Sequence, residues 1–255
     1  MPLEIEQFMC RSDNFGVLVR DAETGDTAIV DAPEERPILD ALERTGWTPG
    51  LLLVTHHHGD HVEANLALKE RFGLTIVGPK AEAAKIPGVD KQVAGGDSFA
   101  FGKGTVEVID TPGHTSGHIS YFFRDDHVAF TGDTLFALGC GRLFEEKPPV
   151  MLESLKKLIA LPLDTRVFCG HEYTQNNARF ALTVDPTNAA LKARAAEIDA
   201  LRAEGKPTLP TTLSVEMATN PFLRWHDPAI RRNLGMEKAS DADVFAEIRK
   251  RKDVA

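Results

Sequence analysis

Leu51-Leu52-Leu53-Val54-Thr55-His56-His57-His58-Gly59-Asp60-His61 is the stretch on which the reading of this chain turns. The short, unbroken apolar run 51–54 reads as a buried strand. It empties into a loop that holds four of the chain's nine histidines within six residues. In a loop leaving a buried strand, residues two apart can face the same way. His56 and His58 can therefore reach one metal ion while His57 points elsewhere, and Asp60 with His61, one turn further on, can serve a second ion. Imidazole with carboxylate suits zinc, iron or manganese.

Three more candidate ligands stand where other strand-like segments end: His114 after Asp110-Thr111-Pro112-Gly113, Asp133 after 128–132, and His171 after Val167-Phe168-Cys169-Gly170. A glycine precedes each, which reads as room for close backbone approach to a metal. Ligands drawn from far-apart strand ends converge on one edge of a sheet. A lone histidine beside a glycine is usually a turn residue, but beside His-x-His-x-Asp-His the odds invert. His57, His118, His127 and His226 keep structural readings, with His118 suited to a hydrogen bond behind the ligands. Trp47 and Trp225 read as packing residues.

Working outward, 3–9, 14–20 and 26–31 read as strands, 34–45 as a helix stopped by Gly46, and the segment after His61 as a helix running to about 71. Strands follow at 74–77, 99–101, 105–109, 119–123 and 128–130, then a helix at 150–160 and a strand at 167–169. After Tyr173 the character changes: an Ala-rich helix at 188–204, a Pro-rich hinge at 206–210 and two short helical stretches. The pattern predicts an α/β fold with a catalytic domain over 1–173 and a smaller helical domain over 174–255.

Bulk properties narrow the function classes. A hydrophobic share of 42% supports a real core, and no apolar run approaches the roughly 20 residues of a membrane span. The acidic, alternating N-terminus MPLEIEQFMCRSDN lacks the pattern of a signal peptide, so a cytoplasmic location is expected. Three cysteines without a C-x-x-C pair fit a reducing compartment. A formal charge of −9 argues against a nucleic-acid partner. The one dense basic run is Arg249-Lys250-Arg251-Lys252. A monomer is expected.

The wording T-H-H-H-G-D-H, D-T-P-G-H-T-S-G-H, F-T-G-D-T-L-F and C-G-H-E-Y-T resembles the metal motifs of the metallo-β-lactamase superfamily, and is most similar to glyoxalase II. The likeness extends from the S-D-N-F segment to the C-terminal N-P-F-L-R and R-K-R-K-D stretches. It implies an αββα sandwich followed by a helical domain. Carried onto matching positions, it gives His56, His58 and His114 to a first divalent metal and Asp60, His61 and His171 to a second, with Asp133 bridging. Zinc is the leading choice of metal, with iron or manganese as alternatives. Asp60 and Asp133 would then act with a hydroxide held between the metals on a glutathione thioester, S-D-lactoylglutathione, giving D-lactate and glutathione. A thiol leaving group departs largely as thiolate and needs no strong general acid. The resemblance also implies that Arg142, Tyr173, Arg249 and Lys252 surround the glutathione moiety, whose two carboxylates suit guanidinium and ammonium groups. Two positions depart from wording found in some members: Arg142 stands in place of Lys, and Phe144 in place of Tyr.

Four alternatives are weighed against this pattern. A β-lactamase-like site would have cysteine where Asp133 stands. A one-iron persulfide dioxygenase shares H-x-H-x-D-H, but the long helical C-terminal segment weighs against it. An RNA-processing nuclease is disfavoured by the acidic balance. A non-catalytic scaffold would have lost ligands, and all seven are present.

Overall fold

The computed structural model describes residues 3–255. Two six-stranded sheets pack face to face, with helices on both outer sides. The first sheet runs in chain order: β1 (Leu3–Cys10), β2 (Asn14–Asp21), β3 (Thr27–Val30), β4 (Leu51–Leu53), β5 (Thr75–Pro79) and β6 (Lys91–Val93). Its first three strands are antiparallel, and from β3 onward neighbours are parallel. The second sheet contains β7 (Ser98–Phe101), β8 (Gly104–Asp110), β9 (Ile119–Phe123), β10 (Val128–Gly132), β13 (Arg166–Cys169) and β14 (Thr211–Thr212), in the order β14-β13-β10-β9-β8-β7. A short hairpin, β11 (Leu135–Phe136) with β12 (Gly139–Cys140), follows β10.

The layering follows from the two-residue period of a strand. Val17, Val19, Ala28, Val30, Leu53 and Val77 face the second sheet, where they meet Val106, Val108, Tyr121 and Phe130. Their alternates Leu18, Ile29, Leu52 and Ile76 face outward and are covered by α1 (Glu35–Thr45) and α3 (Asn65–Phe72) through Ile38, Leu42 and Leu68. Strands buried on both faces read as unbroken apolar runs, which is why 51–54 shows no alternation. Gly46, in the left-handed conformation, closes α1 by donating to the Leu42 carbonyl.

The other outer layer is built jointly by α4 (Pro148–Ile159) and the C-terminal helices α5 (Thr174–Val184), α6 (Ala189–Ala203), α7 (Leu213–Thr219), α8 (Pro228–Leu234) and α9 (Asp241–Asp253). Met151, Leu155 and Leu158 of α4 share one apolar cluster with Phe180, Phe222, Trp225, Phe245 and Ile248. The strand β14 leaves the hinge to pair with β13. Two sequence readings need correction. The helix after His61 is two pieces, a single turn α2 (Gly59–Val62) and then α3. The stretch after the hinge holds three α-helices, the last of 13 residues, in place of two short ones.

Candidate metal centre

Every proposed ligand follows the C-terminal end of a strand at one edge of the sandwich. His56 and His58 come after β4, His114 after β8, Asp133 after β10 and His171 after β13. Asp60 and His61 sit on the α2 turn, which is closed by the His61 N–H donating to the His58 carbonyl at 2.9 Å. Open α/β sheets characteristically bind ligands at this end of their strands.

The hydrogen bonds behind the imidazoles decide which nitrogens face inward. His114 Nδ1 lies 2.8 Å from the Arg142 carbonyl, which can only accept. The Thr55 hydroxyl donates to Asp31 at 2.8 Å, so it accepts from His56 Nδ1 at 3.0 Å. His61 Nδ1 faces Asp31 Oδ2 at 2.8 Å, and His171 Nδ1 faces Asp13 Oδ1 at 2.9 Å. All four rings thus hold their proton on Nδ1 and turn an Nε2 lone pair to the centre.

There the lone pairs have too few donors. His56 Nε2 and His114 Nε2 converge on His58 Nδ1 at 3.2 and 2.9 Å, where at most one of them finds a proton. His61 Nε2 and Asp133 Oδ1 are buried and have no hydrogen-bond partner. Asp133 stands between the two groups, with Oδ2 at 3.3 Å from His114 Nε2 and 3.4 Å from His171 Nε2, and Oδ1 at 3.4 Å from His61 Nε2. Asp60 Oδ2 lies 3.4 Å from His171 Nε2 and 3.7 Å from His61 Nε2. The clusters His56/His58/His114 and Asp60/His61/His171, with His56/His61/Asp133 between them, each bring their ligand atoms within 4.8 Å. A tetrahedral zinc bonded at roughly 2.0–2.1 Å holds imidazole nitrogens about 3.3 Å apart. The residues fit a pair of cations, and cations resolve both the clash of lone pairs and the orphaned atoms.

Burial pushes the His56 and His118 imidazoles well below the usual histidine range, keeping them neutral. Burial alone would raise the Asp133 carboxyl. Positive charge on the His61 and His171 side more than offsets it and holds Asp133 well below the ordinary carboxylate range; with those imidazoles neutral, that charge would have to come from cations. His118 accepts the Asp133 backbone N–H at 3.0 Å and stacks beside His56, as its reading behind the ligands anticipates. His57 turns away to Glu82, which also accepts the N–H groups of His57 and Gly117 and so clips two metal loops together.

The glycines before the ligands act differently from the expectation. Only Gly170 leaves room for ligands: a Cβ there would lie 2.5 Å from Asp133 Oδ1 and 2.7 Å from His61 Cε1. Gly132, at φ +46, makes room for Thr55 and His118, and Gly113 for Met151 of α4. Sequence reasoning missed Asp31, Asp13, Asn14 and Glu82. Asp31 ends a strand just as Asp133 does, and the same argument would have found it. Asn14, which donates to Asp60 Oδ2 at 3.1 Å, carries no such signal.

Beside the ligands opens a cavity of about 530 Å³ bordered by His58, Asp60, His114, Asp133 and His171, and by Phe136, Arg142, Phe144 and Tyr173. Tyr173 stacks flat on His171 at 4.6 Å, and burial raises its hydroxyl pKa, so it stays a donor. Phe144 is 62% exposed and turns its ring toward His58 and His114. Arg249 and Lys252 are not among the lining residues. Arg249 is 5% exposed and donates to the Cys140 carbonyl at 2.9 Å and to Asp253 at 3.0 Å. Lys252 hangs over the Phe180 ring with its ammonium 3.5 Å from the Asn176 carbonyl.

A two-sheet sandwich with paired His/Asp clusters at one edge defines a metal-dependent enzyme of the metallo-β-lactamase superfamily, whose model matches residues 16–171. The remainder, residues 172–255, matches the model described as the hydroxyacylglutathione hydrolase C-terminus. Hydroxyacylglutathione hydrolase of Chelativorans sp. (strain BNC1) is 72% identical over 100% of both chains. That of Mesorhizobium japonicum is 71% identical over 99% of both. The crystal structure of ETHE1 from Myxococcus xanthus is similar in fold, with a TM-score of 0.70, 25% identity, and coverage of 97% of this chain and 90% of that one. The chain belongs to the hydroxyacylglutathione hydrolase family.

Proposed function

We propose that this enzyme hydrolyses S-D-lactoylglutathione, and S-(2-hydroxyacyl)glutathiones generally, to the free acid and glutathione. The observation that supports this most directly is the full-length similarity to hydroxyacylglutathione hydrolases, including the C-terminal part. In this reading, residues 1–173 form the catalytic unit and 174–255 the helical unit that completes the substrate site. His56, His58 and His114 would hold one divalent ion and Asp60, His61 and His171 the other, with Asp133 standing between the two groups and zinc the ion of first choice.

When bound, the two ions supply a water of lowered pKa and a Lewis acid for the thioester carbonyl. The protein's own residues do the rest. Asp31, Asp13, Thr55 and the Arg142 carbonyl hold the imidazoles in one tautomer. Asn14 holds Asp60 through Oδ2. Arg142 attracts a glutathione carboxylate at the cavity rim, and the Tyr173 hydroxyl donates to the peptide portion. Phe144 covers one side of the cavity with an apolar ring where a hydroxyl would otherwise stand. Lys252 has to swing off Phe180 to reach the substrate. The glutathione thiolate leaves without a general acid. No helix among the described residues is long and apolar enough to cross a membrane, and we place the enzyme in the cytoplasm as a monomer.

The test is thiol release from S-D-lactoylglutathione by the purified protein, with metal content measured on the same sample. Release that a chelator abolishes, with close to two ions per chain, supports the reading. A fully metallated protein that releases no thiol refutes the substrate.

A further inference from the structure

Glu82 stands outside the ligand motifs, yet its carboxylate lies against the loops that carry three of the candidate ligands. It sits on the 3-10 helical segment Lys80–Lys85 after β5 and is 3% exposed. Oε2 accepts the His57 N–H at 2.9 Å, and Oε1 accepts the Gly117 N–H at 2.8 Å. The first of these donors lies between His56 and His58, and the second belongs to the turn that carries His114. That turn comes so close that a Cβ at 117 would lie 2.5 Å from Glu82 Cγ and 2.8 Å from Ala81 Cβ. The His57 ring adds a side-chain contact, with Nδ1 2.8 Å from Oε2. Its Nε2 lies 3.5 Å from Glu145, which accepts the Ser116 N–H of the same turn at 2.8 Å. The second group of ligands is held by other residues: Asp60 by Asn14, His61 by Asp31 and His171 by Asp13.

We infer that Glu82 is a positioning residue for the first metal ion alone: by binding both loops through their peptide N–H groups, it fixes the spacing of His56 and His58 from His114. The inference rests on the reading of those three histidines as ligands. A buried carboxylate needs donors on both oxygens. Here the donors come from two loops, so neither loop can drift without orphaning an oxygen. The strand ends behind them stay joined by the Ile119 N–H, which donates to the Thr55 carbonyl at 3.0 Å. Loss of the clip therefore loosens the loops and leaves the sheets in place. Gln at position 82 keeps the volume but must turn an amide nitrogen toward one of the two peptide donors. One loop is then released, and groups behind metal ligands characteristically change metal affinity by about 10–100-fold.

The experiment loads wild type, Glu82→Gln, Gly117→Ala and His57→Ala with cobalt(II). A chelating dye then withdraws the ions, while NMR follows the paramagnetically shifted imidazole N–H protons. In Glu82→Gln one ion leaves faster than in wild type by about tenfold or more, and the His56 and His114 signals go with it. The other ion keeps its wild-type rate, and the His61 and His171 signals persist. Gly117→Ala displaces the same turn without altering the carboxylate and gives the same selective loss, which keeps the test decisive should Glu82→Gln not fold. His57→Ala leaves both peptide N–H groups on Glu82 and stays within a few-fold of wild type. Both ions leaving at wild-type rates, both accelerated alike, or His57→Ala as fast as Glu82→Gln would overturn the inference. Wild-type protein that takes up no metal would instead refute the ligand assignment on which it rests.

Discussion

Gly170→Ala places a single methyl group against the shared part of the metal centre. The added Cβ would stand 2.5 Å from Asp133 Oδ1 and 2.7 Å from His61 Cε1. Even the tightest tolerated contact, near 3.0 Å, requires the oxygen to retreat by about 0.5 Å and the ring carbon by about 0.3 Å. Metal–ligand distances tolerate only about 0.2 Å. Neither group can yield easily, since His61 is held from behind by Asp31 at 2.8 Å and Asp133 is buried beside His118. The cost to folding is that of a modest overpacking, about 1–3 kcal/mol. The cost to the site is larger: metal content should fall from two ions per chain toward one, and thiol release by about 10–100-fold. Gly50→Ala is the control, because a Cβ there meets nothing within 4 Å and its backbone conformation is ordinary. Elemental analysis and the thioester assay on both variants check this. A Gly170→Ala protein with two ions and near wild-type turnover would show that the ligand set is misassigned or far softer than the packing implies.

Three further outcomes follow from neighbouring features. Asp31 accepts from the Thr55 N–H through Oδ1, and from the Thr55 hydroxyl and His61 Nδ1 through Oδ2. Asp31→Asn must turn an amide nitrogen toward a donor, so metal affinity should drop about 10–100-fold; unchanged affinity in a competition titration counts against it. Glu216 is buried and accepts from the Leu138 N–H, the Thr211 hydroxyl and the Asn220 amide, yet burial raises its pKa above 4.5. A raised carboxyl contributes stability below the unfolded pKa that is lost as pH rises through the folded value. Glu216→Gln, which can donate to Thr211 Oγ1 instead, should therefore gain on wild type in denaturant midpoint as pH climbs from about 4.5 to 7; a difference that stays flat or runs the other way is the refuting result. Burial pushes the Cys140 thiol up to about 11 and that of Cys10 up to about 12, with Cys169 raised as well. At pH 8 only about one Cys140 in a thousand is thiolate, so an aromatic disulfide reagent should find no fast thiol in the native protein, and one rapid equivalent per chain would contradict this.

The residue pattern by itself determined the mixed α/β class and the positions of the seven candidate ligands, while the sandwich was implied by the resemblance to the metallo-β-lactamase superfamily. Buried strands announce themselves as apolar runs, and the residues just past their ends are few, so a histidine or aspartate there has little else to be. Local chemistry was equally visible in the Gly46 stop and the outward turn of His57. Less legible were β6, the β11–β12 hairpin and β14, whose pairing depends on distant strands, and α5, which earned no reading from its mixed composition. Apart from His118, tertiary structure alone decided what stands behind the ligands. Asp13 meets His171 across 158 positions of chain, and Arg142 meets Asp253 across 111. It also decided that Arg249, a basic residue in a basic run, is buried. A charge on a C-terminal helix reads the same whether it faces solvent, substrate or a backbone carbonyl. Only the packing of α9 against α4 and the hairpin carbonyl of Cys140 distinguishes them, because long-range contacts leave no periodic trace in the residues that make them.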